Sequence, residues 1–298
     1  MSQSLRRRPG GFTLVELLVV IIIIGILAAL LIPVINGARR NANQARISIE
    51  ITQLESALEA YKNDHGGDFP ADLTDAVAFK QHMARAYPRH NRAAIDKWLA
   101  SNPATQKPAN LDPAEAIVLW LGLVRNDVLF PFTDSSGNNV PLAVGSSGQG
   151  KPYFTFTPAQ LTDRDGDGWP EFYPQAIAGQ PGALPYVYFH NKTYATACYP
   201  FPAPGALGTA PVGADPGPPP GVARPYRTAA LAFVEPTKYQ IISCGLDLHY
   251  GKDTVVNLPN QPKLVPTKVN TNGVNLDRGD QDNLTSFAKG QTIEGLRQ

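Results

Sequence analysis

RRRPGGFTLVELLVVIIIIGILAALLIPVI, Arg6 to Ile35, decides how the rest of this chain is read. Three arginines and two glycines lead into an aliphatic run that only Thr13, Glu16, Gly25 and Pro33 interrupt. The 24 residues from Phe12 to Ile35, at about 1.5 Å each, cross a hydrocarbon core of roughly 30 Å. Ala116–Val124, another apolar run, is far too short, so the expectation is one span near the N-terminus. A secretory signal has an apolar region of only about 7–15 residues and then a small-residue cleavage site; this run is longer and no such site follows. A plain signal anchor accounts for the length and the basic flank but not for Glu16. A carboxylate in a span is costly unless it is paired or near the interface, which makes it a functional candidate.

Gly11-Phe12-Thr13-Leu14-Val15-Glu16 resembles the type III signal of type IV prepilins and type II secretion pseudopilins. That resemblance implies a membrane peptidase that cuts between Gly11 and Phe12 and methylates the new amine of Phe12. It gives Glu16 and Pro33 the positions of the family's assembly glutamate and helix-kinking proline. It also implies that Glu16 pairs with the terminal amine of a neighbouring subunit, so that two charges costly alone in lipid become tolerable together. Arg6–Arg8 are expected to hold the leader on the cytoplasmic side, with the remainder outside. Gly25 permits close approach of neighbouring helices.

Beyond Pro33, Ile47, Ile51, Leu54, Leu58 and Tyr61 recur at +4, +3, +4 and +3. This is an apolar stripe on one side of a helix. Glu50, Glu55, Glu59 and Lys62 decorate its other sides, and Asn63, Asp64, Gly66 and Gly67 end it. The whole helix would be roughly 78 Å long. Four segments follow: a cleaved basic leader (1–11), a transmembrane part of the helix (12–35), an amphipathic part (36–64) and an extracytoplasmic globular head (65–298).

In the head, Asp72 to about Ser101 reads as a helix rich in alanine. His82, Arg85, Arg89, His90, Arg92 and Lys97, with Tyr87 and Trp98 among them, could form a nucleic-acid patch. A solvated helix face is preferred, because the formal charge is only +1. Without Arg6–Arg8 the balance becomes 23 basic against 25 acidic residues. Nothing suggests a bulk grip on nucleic acid. Asp112-Pro113-Ala114-Glu115 reads as a helix start with a capping box, followed by a short buried helix over Ala116–Val124. Thr133–Gly150 reads as loop. Tyr153–Phe156, Tyr186–Phe189 and Tyr239–Ser243 read as strands. Pro200–Pro225 is too rich in proline and glycine for a helix or an inner strand. The expected fold class is α+β and pilin-like: the long helix against a small, mainly antiparallel sheet, with extra helices and loops.

Two stretches carry metal-binding chemistry. In Asp163-Arg164-Asp165-Gly166-Asp167-Gly168-Trp169-Pro170-Glu171, carboxylates alternate around a turn that Gly168 permits. Asp163, Asp165 and Asp167, the Trp169 carbonyl and Glu171 are hard oxygen donors suited to calcium. The loop resembles the first half of an EF-hand loop but has Pro174 where that loop closes with glutamate. The alternative is an acidic solvent turn. The second stretch runs from Tyr239 to Asp247 and resumes at Asp282-Asn283-Leu284. It resembles the C-terminal part of the major pseudopilin, where a loop binds calcium. That resemblance implies Asp247, Asp282 and Asn283 as ligands, with Asp253 and Asp280 available nearby. Leu248 stands where that family prefers glycine. The alternative is a capped turn.

The two cysteines, Cys198 and Cys244, can form one bond outside the cytoplasm or stand as separate buried thiols. No H-E-x-x-H, G-x-S-x-G or P-loop pattern occurs, so no catalytic residue is expected. The leading expectation is a structural subunit of a type II secretion pseudopilus, not an enzyme. Its partners would be a prepilin peptidase, other pilin or pseudopilin subunits, the inner-membrane secretion platform and the lipid bilayer. It would sit single-pass in the cytoplasmic membrane and then enter a periplasmic filament. A type IV pilin of a surface pilus is the alternative, and a membrane-anchored periplasmic enzyme a more distant one.

Overall fold

The computed structural model describes residues 14–100, 112–138, 150–164, 169–195, 197, 199, 222–228, 230–251, 263 and 282–297. The chain divides into two units, Met1–Asn43 and Gln44–Gln298. Helix α1, Leu14–Asp64, runs through the end of the first and the start of the second, and Pro33 lies inside it.

In the first unit the helix is apolar all round. Every large aliphatic side chain from Leu14 to Ile35 is exposed, from 42% at Val20 to 86% at Leu14. It is the one described helix long and apolar enough to cross a membrane. In the second unit the pattern narrows to the expected stripe: Ile47, Ile51, Leu54, Leu58 and Tyr61 are all buried, with Ala57 beside them. The helix closes as its glycines predict. Gly66 and Gly67 take φ of 79° and 77°, and the Gly67 amide returns to the Lys62 carbonyl at 2.9 Å. Glycine enters this left-handed region without a Cβ clash.

The expected helix over Asp72–Ser101 is in fact two helices. Helix α2, Ala76–Ala86, starts at Asp75, whose carboxylate accepts from the Val77 amide. Helix α3, Arg92–Leu99, starts at Asn91, whose side chain accepts from the Ala94 amide. Pro88 separates them: its ring disfavours the helical conformation at Tyr87, and it has no N–H to continue the ladder. Helix α4, Ala116–Gly122, is buried along its whole length. The expected capping box forms in the turn just before it. Ala114 N–H donates to Asp112 Oδ1 at 2.7 Å, and Asp112 N–H donates to Glu115 Oε2 at 2.8 Å.

Strand β1, Leu161–Thr162, pairs antiparallel with β2, Glu171–Phe172. The main sheet has the order β3-β4-β5 and is antiparallel throughout: β3 is Val187–His190, β4 Tyr239–Ser243 and β5 Leu284–Thr285. Tyr153–Phe156 is not a strand. Its Tyr153 and Phe154 amides both donate to the Leu121 carbonyl at the end of α4, which leaves no ladder to extend. The main sheet is buried on both faces. Tyr188, Tyr239, Ile241 and Leu284 join the α1 stripe, α4 and an aromatic core of Phe79, Trp98 and Trp120. Val187, Phe189, Ile242 and Cys244 join a second core with Tyr194, Tyr199, Tyr226 and Tyr250. Side chains alternate across a strand, so strands whose every residue is buried are covered on both faces.

Candidate functional site

Gly11 and Phe12 lie outside the described residues. Glu16 stands in the first turn of α1, where the partial positive charge of the helix N-terminus favours a carboxylate. Around and beyond it the helix offers only exposed aliphatic surface up to Ile35. Such a surface is stable in lipid or against copies of itself, and unfavourable in water.

The basic stretch of α2 and α3 does not make a stacking platform. His82, Tyr87 and Trp98 are buried in the core, so the aromatic residues between the cations point away from solvent. His82 Nε2 and the Tyr61 hydroxyl share a hydrogen bond at 2.8 Å. Burial lowers the His82 pKa to about 3.

The acidic stretch connects β1 to β2. Asp163 is exposed, while Asp165 and Asp167 lie outside the described residues. Trp169 is buried, its ring edge-on to Trp98 at 6.2 Å. Glu171, only 1% exposed, accepts from the Tyr173 hydroxyl at 2.6 Å and from the Tyr199 hydroxyl at 2.8 Å. Each of its oxygens therefore accepts from one tyrosine.

The second stretch is brought together. After β4 the chain turns at Gly245, whose φ is 72°; a Cβ there would lie 2.4 Å from the Asp282 carbonyl oxygen. Asp282 Oδ2 accepts from the Leu246 amide at 3.0 Å, and Asp247 Oδ1 accepts from the His249 amide at 3.0 Å. Leu248 itself takes φ of 62°, the backbone conformation that glycine adopts most readily. Asn283 faces inward instead, its Nδ2 donating to the Tyr226 hydroxyl and the Tyr250 carbonyl. Cys244 is a free, buried thiol. Burial pushes its pKa up, and the nearby Asp247 and Asp282 add to that. Cys198, Asp253, Asp280 and residues 200–221 lie outside the described residues. Among the described residues, no group of three or more His, Cys, Asp or Glu side chains has a geometry to hold a metal ion.

Three polar residues carry more structure than their spacing suggests. Glu50 does not merely decorate α1: it accepts from Gln160 Nε2 at 2.9 Å, the Gln175 amide at 3.1 Å and the Tyr186 hydroxyl at 2.7 Å. Asp72 is fully buried and accepts from the Thr74 amide, the His190 amide and the Thr193 hydroxyl. Burial raises its pKa to about 6 against the pull of these donors. Asp68 accepts from Arg85 and Lys192 beside His190.

A family model described as "Prokaryotic N-terminal methylation motif" matches residues 6–32. The "Type II secretion system core protein G" of Klebsiella pneumoniae is 41% identical over 101 residues, 31% of this chain and 71% of that protein. The protein of the same name from Aeromonas hydrophila is 47% identical over 60 residues, 20% of this chain and 42% of that protein. This chain thus spans less than half the length of that relative. The "Type IV wide pilus major component PilA4" of Thermus thermophilus is 31% identical over 155 residues, 51% of this chain and 84% of that protein. No solved structure matches the chain.

Proposed function

Because this chain belongs to the family of type IV pilins and type II secretion pseudopilins, we propose that it is a structural subunit of a type II secretion pseudopilus or a related filament. A prepilin peptidase cuts between Gly11 and Phe12 and methylates the freed amine of Phe12. The chain is then held in the cytoplasmic membrane by its one apolar span, basic end inside, until its helix enters a growing bundle outside. There Glu16 meets the Phe12 amine of another copy, which fixes register. Other pilin-like subunits, the membrane and an inner-membrane secretion platform are the partners of this reading. The observation that carries it is the continuity of the methylation motif with a helix whose large aliphatic residues from Leu14 to Ile35 are all exposed. N-terminal sequencing and mass of the processed protein test it: the reading expects N-methyl-Phe12, and an intact leader overturns it.

A type IV pilin is the second reading, favoured by the longer match to the Thermus pilus protein, 84% of its length. Deleting the chain separates the two. A secretion defect without loss of surface fibres supports the pseudopilus, and the reverse supports the pilus. Calcium is proposed at the turn after β4, where Asp282 accepts from the Leu246 amide and Asp247 from the His249 amide; there it would offset the negative charge of the two carboxylates. At the β1–β2 loop the proposal rests on Asp163, Asp165 and Asp167, with the Trp169 carbonyl and Glu171 as a direct or water-bridged oxygen.

A further inference from the structure

The second unit carries two surfaces of opposite character, an apolar tip beside cations and a groove lined by carboxylates. The first is the turn Arg125–Pro131. Asp127 Oδ1 accepts from the Leu129 and Phe130 amides. The Asn91 amide donates to the Leu129 carbonyl at 2.8 Å, and Arg125 N–H to the Pro131 carbonyl at 2.9 Å. The turn is thus fixed from within and from α3, yet it leaves Val128 55% and Leu129 52% exposed. Arg89, Arg125 and Lys151 line the cleft beside Val128, and none of the three forms an ion pair among the described residues. The two acids of that cleft are used locally: Asp127 in the turn and Asp64 by the Tyr153 hydroxyl at 2.8 Å. Arg125 also donates to the Thr133 carbonyl at 3.1 Å, so the turn presents an apolar tip beside the exposed Arg89 and Lys151.

The second surface is a groove of about 400 Å³ between the outer side of α1, the segment 235–239 that enters β4, and Ser286 and Phe287 after β5. Tyr239 and Phe287 supply its apolar lining, and Glu55, Glu59 and Glu235 its charge, against Lys238 alone among the lining residues. Glu59 also meets Lys62 at 3.5 Å. Burial, with Glu235 and Glu59 nearby, raises the pKa of Glu55 against the pull of Lys238.

We propose that the Val128–Leu129 tip of one copy seats in the Glu55–Glu59–Glu235 groove of a second copy of this chain. The inference rests on the filament reading and names a head-to-head contact within it. Apolar tip meets apolar lining, and Arg89 and Arg125 meet carboxylates. The two surfaces differ, so the contact is heterologous and repeats from copy to copy without closing on itself.

The test uses full-length protein in its membrane, with Cys198→Ser and the buried Cys244 left in place. One copy carries Val128→Cys and a second, differently tagged copy carries Ser56→Cys; the membranes are then oxidised. A disulfide-linked heterodimer is expected. It should be lost when Arg89→Glu is added to the tip copy and regained when Glu55→Lys is added to the groove copy. A tip-to-tip dimer as strong as the mixed one overturns the proposal. So does absence of the mixed dimer while Leu18→Cys copies still cross-link through α1, an outcome that leaves the subunit reading intact. Absence of both overturns both.

Discussion

The Glu50 carboxylate on α1 accepts the Tyr186 hydroxyl at 2.7 Å, across 136 positions of the chain. Tyr186 is fully buried, and its other oxygen contact, the Ile47 carbonyl, is at 3.5 Å. Glu50→Ala leaves that hydroxyl, the Gln160 amide and the Gln175 N–H short of an acceptor. We expect a loss of about 2–3 kcal/mol, read as a lower urea midpoint. Glu50→Gln keeps one acceptor oxygen and should lose less. Equal stability of Glu50→Ala and wild type would reduce Glu50 to a surface charge.

Gly245 faces a backbone neighbour that cannot move aside easily. Gly245→Ala adds a Cβ 2.4 Å from the Asp282 carbonyl oxygen at a φ of 72°. Left-handed strain and overpacking together should cost about 2–4 kcal/mol. Thermal melts of the variant check this, and a melt within a degree of wild type would contradict the close packing of the two segments.

Acid should weaken the fold. His82 and His190 have pKa values lowered to about 3 and about 4, in each case chiefly by burial. The unfolded chain therefore takes up their protons first, and their stabilisation is lost as pH falls below the ordinary histidine pKa. Asp72, raised to about 6 by burial, works the other way: the folded state binds its proton first, which adds stability as pH falls through 6. Among these three groups the two histidines outweigh the aspartate, so their combined contribution to stability falls as pH drops from about 6 to about 4. Urea midpoints against pH measure the slope. His82→Phe should flatten it, and Asp72→Asn should steepen it.

Glu16→Ala should leave processing at Gly11-Phe12 unaffected and reduce assembly. The variant loses the proposed partner of the Phe12 amine, which then stays unpaired at the membrane. Processed monomer is expected to accumulate in the membrane fraction while sheared filaments disappear. Filament yield equal to wild type would remove Glu16 from the assembly contact.

Chelation should lower the melting temperature of the full-length protein, with calcium restoring it. Asp282→Ala should lower it too and shrink the calcium response by the share that belongs to the turn after β4. A melt indifferent to chelator, in a protein still sensitive to Asp282→Ala, would make Asp282 a cap for Leu246 alone.

The features legible in the chain are those whose causes are local. An aliphatic run of a span's length, an apolar residue at every third or fourth position from Ile47 to Tyr61, and paired glycines at 66 and 67 each act within a few residues. They mark helix, buried face and stop without knowledge of the rest. Tyr239–Ser243 was readable as a strand for the same reason. The helical composition of Asp72–Ser101 is interrupted by one local signal, Pro88, which splits it into α2 and α3. Tyr153–Phe156 has strand composition, but α4 takes its amides.

By itself, then, the sequence determined the membrane segment, the motif at Gly11-Phe12, the amphipathic stalk and the α+β class, because periodicity and turn chemistry operate at short range. Only the tertiary structure decided which polar groups are spent inside. Asp72 reaches His190 over 118 positions and Glu50 reaches Tyr186 over 136. Glu171, offered by its spacing to a cation, turns inward to Tyr173 and Tyr199. The direction a carboxylate faces depends on which elements cover its strand or helix, and that covering is set by the packing of the sheet on both faces.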